Sequence, residues 1–364
     1  MLVNHQHFRT IWPDFSPNQP SVNIIDQTKL PHAFVVEEVR TLVQMEHAIK
    51  TMQVRGAPLI GIAAAYGMAL ATLHDADDQA LQFAARTLLA SRPTAVNLAW
   101  AVKRMLDKLA QLPLNARRDA AWAEAAAIAD EDVALNQAIG RHGLTLIQAM
   151  YQRKQRPLHI LTHCNAGWLA TVDYGTALSP IYAAHDAGLE VHVWVDETRP
   201  RNQGASLTAW ELAQHGVPHT VITDNAGGHL MQQGQVDMVL VGADRVSRNG
   251  DVCNKIGTYL KALAAYDSAA FGHEIPFYAA VPSPTIDWQI SDGIQQIEIE
   301  ERHADELAWM SGQLPSGEIV SVNVLPKGTR VANPAFDVTP ARLVSAIITE
   351  CGVYTPDALS TIQR

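Results

Sequence analysis

The chain has 364 residues, is 48% hydrophobic and 18% charged, and carries a formal net charge of -10 at pH 7. So large an apolar share excludes an unfolded chain, and the length suits two domains, or one large domain with an appendage. The acidic balance, without a long run of Lys or Arg, excludes a dedicated nucleic-acid binder, which would present a basic face.

The first residues, MLVNHQHFRTIWPDF, contain no apolar signal-peptide core. Residues 21–38 predict two short strands around a Lys-Leu-Pro turn. From Thr41 to Met150 the pattern turns helical, with breaks at Gly56–Pro58 and Arg92–Pro93, and predicts four to six helices. The apolar run 57–73 is too short to span a bilayer and holds two glycines, so it reads as a buried helix. An Ala-rich stretch interrupted by Gly140 and Gly143 reads as one long helix or two. Beyond residue 157 strands and helices alternate. Strands are predicted at 158–164, 190–197, 219–223, 236–244 and 276–281, and helices up to His185, from Leu207 to His215, after 223, and from Lys255 to Ala265. Residues 317–349 add a strand, a loop with three prolines and a final helix. Short, near-continuously apolar strands of this kind predict a parallel sheet covered on both faces, a doubly wound α/β architecture. The expected division is a mostly helical domain over 1–150, with its short strand pair, and an α/β domain over 151–364.

Ligands of an open parallel sheet bind at the carboxyl ends of its strands. Three polar clusters occupy such ends: THCNAG (162–167), DETRPRNQGAS (196–206) and GADRVSRNGDVCNK (242–255). The first turn, CNAGWLA, has the single glycine Gly167 where a dinucleotide fold would carry three, and no Walker A lysine motif occurs. Such a turn could still hold one phosphate on its unpaired N–H groups. Cys164 reads either as a thiol made reactive by its place at a strand end or as a small buried filler. Asp244 reads either as a turn former or as a carboxylic acid held protonated in a partly dry pocket. Asn254 and Lys255 are expected to open a helix, where a lysine is unfavourable unless an anion is near. Arg55, at a Pro-initiated helix, and Arg92, before a helix capped by Thr94, suggest a phosphate or carboxylate ligand. His163 is expected to pack under the site, and the histidines show no metal-binding spacing. The three cysteines, Cys164, Cys253 and Cys351, are far apart, which excludes a disulfide scaffold or zinc knuckle and fits a reducing compartment. No membrane partner is expected; the bulk features point to a cytoplasmic protein.

Taken together, RGAPLIGIAAAYG, SRPTAVNL, LTHCNAGWLAT, DETRPRNQGASLTAWEL, GADRVSRNGDVCNKIGTY and NPAFDVTP resemble the methylthioribose-1-phosphate isomerase family, from about Val22 to Val353. The wider group includes regulatory subunits of the translation-initiation exchange factor and ribose-1,5-bisphosphate isomerases. The resemblance implies an aldose–ketose isomerisation in methionine salvage: 5-methylthioribose 1-phosphate becomes 5-methylthioribulose 1-phosphate without metal or organic cofactor. It implies Cys164 as the catalytic cysteine and Asp244 as the acid/base. Arg55, Gly56, Ala57, Arg92, Gln203, Asn254 and Lys255 fall at its substrate-binding positions. It further implies a helical N-terminal domain, a Rossmann-like C-terminal domain and a homodimer.

The implied chemistry suits these residues. A phosphate on the anomeric carbon blocks simple ring opening, so an acid, assigned to Asp244, must protonate the ring oxygen. Hydrogen then moves from C2 to C1, either as a proton with Cys164 thiolate as base or as a hydride with Cys164 tuning the local charge. The sequence leaves both routes open. It also leaves open a sister isomerase of another C1-phosphorylated pentose and a non-catalytic regulatory subunit. An NAD dehydrogenase is disfavoured by the missing glycines.

Overall fold

A computed structural model of the chain describes residues 1–16 and 19–362. The N-terminal portion opens with a short pair, β1 (Leu2–Val3) and β2 (Gln6–His7), then an antiparallel sheet of β3 (Ile11–Asp14), β4 (Ser21–Ile25) and β5 (Val36–Val39). The expected strand pair is present as β4 and β5, with β3 added on the open edge of β4. A capping box of Thr41 and Gln44 starts α1 (Leu42–Lys50). α2 (Ala57–Ala71) is apolar on every side, and all its residues from Pro58 to Leu70 are buried. A helix without a polar face belongs in the centre of a bundle. Around α2 pack α1, α3 (Asp78–Ser91), α4 (Val96–Ala110) and α5 (Leu114–Lys154).

The helix α5 is continuous through Gly140 and Gly143. Both glycines serve packing against α6 (Leu178–Asp186): a Cβ on Gly143 would lie 2.3 Å from Pro180 Cγ, and one on Gly140 would lie 2.4 Å from Ser179 Oγ. The close approach outweighs the helix-propensity cost of about 1 kcal/mol per glycine.

The second portion is built on a seven-stranded sheet: β6 (Leu158–Thr162), β7 (Val191–Asp196), β8 (His219–Ile222), β9 (Met238–Val241), β12 (Phe277–Ala280), β17 (Ala346–Thr349) and β18 (Gly352–Tyr354). Its spatial order is β18-β17-β12-β9-β6-β7-β8, and every pairing is parallel except β17 with β18. Alternate residues of each strand feed opposite cores. Ile160, Met238, Leu240 and Ile348 join α5 and α6 on one face. Leu161, Val239, Val241 and Ile347 join α8 (Ala226–Gln232) and α9 (Thr258–Asp267) on the other. This period of two, apolar on both faces, is what a doubly wound sheet requires. α7 (Ala209–His215) joins β7 to β8.

A second sheet stands beside the carboxyl ends: β10 (Arg245–Ser247), β11 (Val252–Lys255), β13 (Ile286–Asp287) and β16 (Phe336–Thr339). The two sheets together correct two expectations. Asn254 and Lys255 end the strand β11, paired with Asp337 and Phe336, and the helix α9 begins only at Thr258. Residues 346–349, expected as a final helix, form the buried strand β17, because the sheet needs Ile347 and Ile348 to cover β12. A third correction concerns α4: its cap is Ala95 rather than Thr94, and Arg92 ends α3. The short helices α10 (Gly293–Gln296) and α11 (Asp305–Ala308) lead into a hairpin, β14 (Trp309–Gln313) with β15 (Ile319–Asn323), that stands apart from the main sheet. Among the described residues no helix is long and apolar enough to cross a membrane.

Candidate active site

The strand β6 is laid down first, in mid-sheet. β7 and β8 extend the sheet one way, while β9, β12 and β17 extend it the other way. Chain order therefore reverses between β6 and β9, and such a switch point opens a crevice at the carboxyl ends. Cys164 follows β6 and Asp244 follows β9. Both line one hollow, together with Arg55, Gly56, Ala57, Arg92, Gln203, Asn254 and Lys255. All nine sequence-assigned site residues thus converge, from five separate stretches of chain.

Local backbone geometry sets each side chain. Cys164 has φ 64°, a left-handed conformation unusual for a residue with a side chain. Its N–H donates to Thr198 Oγ1 at 2.8 Å, and its thiol points to Gln203 Oε1 at 3.6 Å. Gln203 stands just before a π-helical turn, Gly204–Thr208, which extends into α7. Asp244 is held by its N–H donating to the Cys253 carbonyl at 2.9 Å. Gly56 adopts φ 98°, and a Cβ there would meet Ala170 at 2.7 Å, so only glycine lets α2 start against the turn after β6.

The hollow is rich in cations. Arg55, Arg92 and Lys255 come from the expected set, and Arg302 is an addition. Arg302 pairs with Glu300 at 2.9 Å and Glu306 at 2.7 Å, and Glu300 also lies 3.6 Å from Arg92. The Lys255 ammonium sits 4.8 Å above the centre of the Phe336 ring. Burial pushes both the Cys164 thiol and the Asp244 carboxyl up, while Arg55 and Lys255 pull both back. Burial likewise lowers Lys255, against the nearby Cys164 and Asp244. Position at a strand end thus raises rather than lowers the thiol, because desolvation outweighs the neighbouring cations.

His163 is 1% exposed, lies just beyond β6 and borders the hollow. Its ring is clamped between Asp196 Oδ2, 2.7 Å from Nδ1, and the Ile256 carbonyl, 2.8 Å from Nε2. His163, Asp196 and Asp224 bring ligand-type atoms within 4.8 Å of one another. The buried ammonium of Lys261 reaches the same group, 3.1 Å from Asp196 and donating to the Asp224 carbonyl.

The turn after β6 departs from expectation. Its N–H groups at Trp168 and Leu169 donate to the Glu211 carboxylate, each at 2.9 Å. The place where a phosphate was conceivable is filled by an anion of the chain itself. Sequence reasoning also missed Met52, Asn165, Arg302 and Phe336, all on the hollow. For Arg302 the available signal was an arginine with acids two residues before and four residues after it. Asn165 adjoins Cys164 and offered no signal of its own.

A family model described as "Initiation factor 2 subunit family" matches residues 53–356. The chain is 59% identical to the methylthioribose-1-phosphate isomerase of Rhodospirillum rubrum, covering 98% of this chain and 92% of that protein. It is 60% identical to the enzyme of the same name from Acidiphilium cryptum, covering 97% and 94%. Among solved structures, 5-methylthioribose 1-phosphate isomerase of Pyrococcus horikoshii superposes with a TM-score of 0.82 at 38% identity, over 98% of this chain and 97% of that one. A structure described as translation initiation factor eIF-2B, subunit delta, from A. fulgidus superposes with a TM-score of 0.77 at 39% identity, over 97% and 100%.

Proposed function

The chain belongs to the initiation factor 2 subunit family and, within it, to the methylthioribose-1-phosphate isomerases, and from that premise we propose that the hollow between Cys164 and Asp244 is its active site. The protein is an aldose–ketose isomerase of methionine salvage, converting 5-methylthioribose 1-phosphate to 5-methylthioribulose 1-phosphate. One observation carries the site assignment: a thiol and a carboxyl follow the two adjacent strands at the switch point and face one cation-lined hollow.

In this reading the phosphate is held by Arg55, Arg92 and Lys255, with the main chain of Gly56 and Ala57 beside it. Asn254 and Gln203 meet sugar hydroxyls. Binding energy from the phosphate positions the reacting carbons. Asp244, its pKa raised by burial, protonates the ring oxygen and opens the ring. The Cys164 thiol, also raised, keeps its proton, which favours hydride movement from C2 to C1 over proton abstraction by a thiolate. The C2 hydroxyl, as C2 becomes the ketone, then yields the proton that returns to Asp244. All steps use protein side chains alone, as the resemblance implies. A homodimer is part of the reading on the same ground, and the three unpaired cysteines support a reducing, cytoplasmic setting.

The test is turnover of methylthio-, deoxy- and phospho-substituted ribose 1-phosphates in heavy water. Fastest conversion of the methylthio substrate, with no solvent deuterium at product C1, is expected. Preference for the bisphosphate would move the substrate, deuterium at C1 would replace the hydride route, and no turnover of any would leave a regulatory subunit.

A further inference from the structure

Glu211, in α7, is 0% exposed, yet among the described residues no ion pair reaches it. Four donors converge on its carboxylate. Oε1 accepts from Asn165 Nδ2 and Leu169 N–H, each at 2.9 Å. Oε2 accepts from Trp168 N–H at 2.9 Å and Tyr182 O–H at 2.8 Å. Burial pushes the carboxyl up and the donors pull it back. Both peptide N–H groups and the amide can only donate here, an arrangement that suits an ionised carboxylate. The fit is tight: a Cβ on Gly167 would fall 1.8 Å from Oε2, so the lone glycine of the turn makes room for Glu211.

A buried carboxylate needs a counter-charge. The nearest one is reached through a single residue. Asn165, its Nδ2 spent on Glu211 and on Thr208 Oγ1 at 3.1 Å, can turn only its oxygen toward the hollow. That oxygen accepts from Arg55 Nη1, and the Asn165 carbonyl accepts from Arg55 Nη2 at 2.6 Å. Two arms of the Arg55 guanidinium are thereby fixed. Asn165 shares its neighbour Cys164 with the catalytic turn.

We propose that Glu211 is the internal counter-anion of the active site and that, through Asn165, it positions Arg55 to receive the substrate. This rests on the reading of the hollow as the isomerase site. Glu211 touches no substrate atom and is a positioning residue. It occupies the N–H groups of the turn after the first strand, so the phosphate is received instead by the arginine that Glu211 orients.

The test measures kcat and KM for 5-methylthioribose 1-phosphate in wild type, Asn165→Ser, Glu211→Gln, the double variant and Glu211→Ala with and without formate. Each single variant is expected to raise KM by about 10–100-fold, the range of a lost charged hydrogen bond, with a smaller change in kcat. The double variant should add little, since both cuts break one relay. Formate, a carboxylate small enough for the vacated space, should lower the KM of Glu211→Ala, whereas a loss of packing alone would not respond. A wild-type KM in Asn165→Ser, multiplicative effects in the double variant, or a folded and impaired Glu211→Ala indifferent to formate would overturn the proposal. Where Glu211→Ala does not fold, Asn165→Ser decides. A wild-type protein that turns over no ribose 1-phosphate would instead overturn the isomerase reading itself.

Discussion

Cys164 and Asp244 show how environment sets a residue's chemistry. Each is pushed toward its neutral form because burial costs the ionised form more than Arg55 and Lys255 return. A protonated carboxyl is what ring opening asks for, so kcat/KM should fall as pH rises through the elevated pKa of Asp244. Asp244→Asn should abolish that limb and lower kcat by about 10²–10⁴-fold, the usual scale of general acid catalysis. Cys164→Ser should lower kcat by orders of magnitude too, since a hydroxyl is smaller, harder and less polarisable than the thiol. Both variants should melt within a few degrees of wild type. Near-normal turnover in either would remove that residue from the mechanism. Gly56 and Gly167 belong to this scale as well. Their identity was visible in the sequence, but their reason, contact with Ala170 and with Glu211, lies in distant segments.

At the scale of elements, α5 is the longest helix and spans both portions of the molecule. It packs against α2 and α4 on one stretch and against α6 and β17 on another. Within it Asp132 is 4% exposed and accepts from Val172 N–H at 2.8 Å. Burial pushes its carboxyl from 3.8 up to about 7. The native state therefore keeps this proton up to about pH 7, while the unfolded chain gives it up near 4. Stability accordingly falls as pH rises between the two values. Removing that dependence should make Asp132→Asn more stable than wild type at pH 8 by up to about 4 kcal/mol, with the gain vanishing toward pH 4. Equal melting shifts at pH 5 and pH 8 would refute the assignment of that proton. Elements were legible to different degrees. α2 and the strands β6, β7 and β9 announce themselves by continuous or near-continuous apolar character. β11 and β17 did not, because Val252–Lys255 and Ala346–Thr349 become strands only through distant partners: Val252 pairs with Thr339, 87 residues on, and Ala346 with Tyr278, 68 residues back.

The whole molecule places its hollow where the helical portion meets the sheet. Arg55 and Arg92 arrive from the helices, Cys164, Asp244 and Lys255 from the sheet side, and Arg302 from the segment before the hairpin. A ligand that engages both sides must stabilise the entire fold. Inorganic phosphate at about a hundred times its Kd should add ~2.7 kcal/mol, a rise of several degrees in Tm, and Lys255→Ala should suppress the shift. Wild-type Tm unmoved by phosphate would argue against an anion site. The sequence alone determined the architecture and singled out the residues that meet at the hollow, because strand and helix periods are local properties and the motif residues are contiguous runs. Only the tertiary structure decided that Glu211 fills the anion-binding turn, that Arg302 joins the cations, and that burial pushes Cys164 and Asp244 toward their neutral forms. Each of these depends on which distant chains exclude water from a group, and no local pattern of residues carries that information.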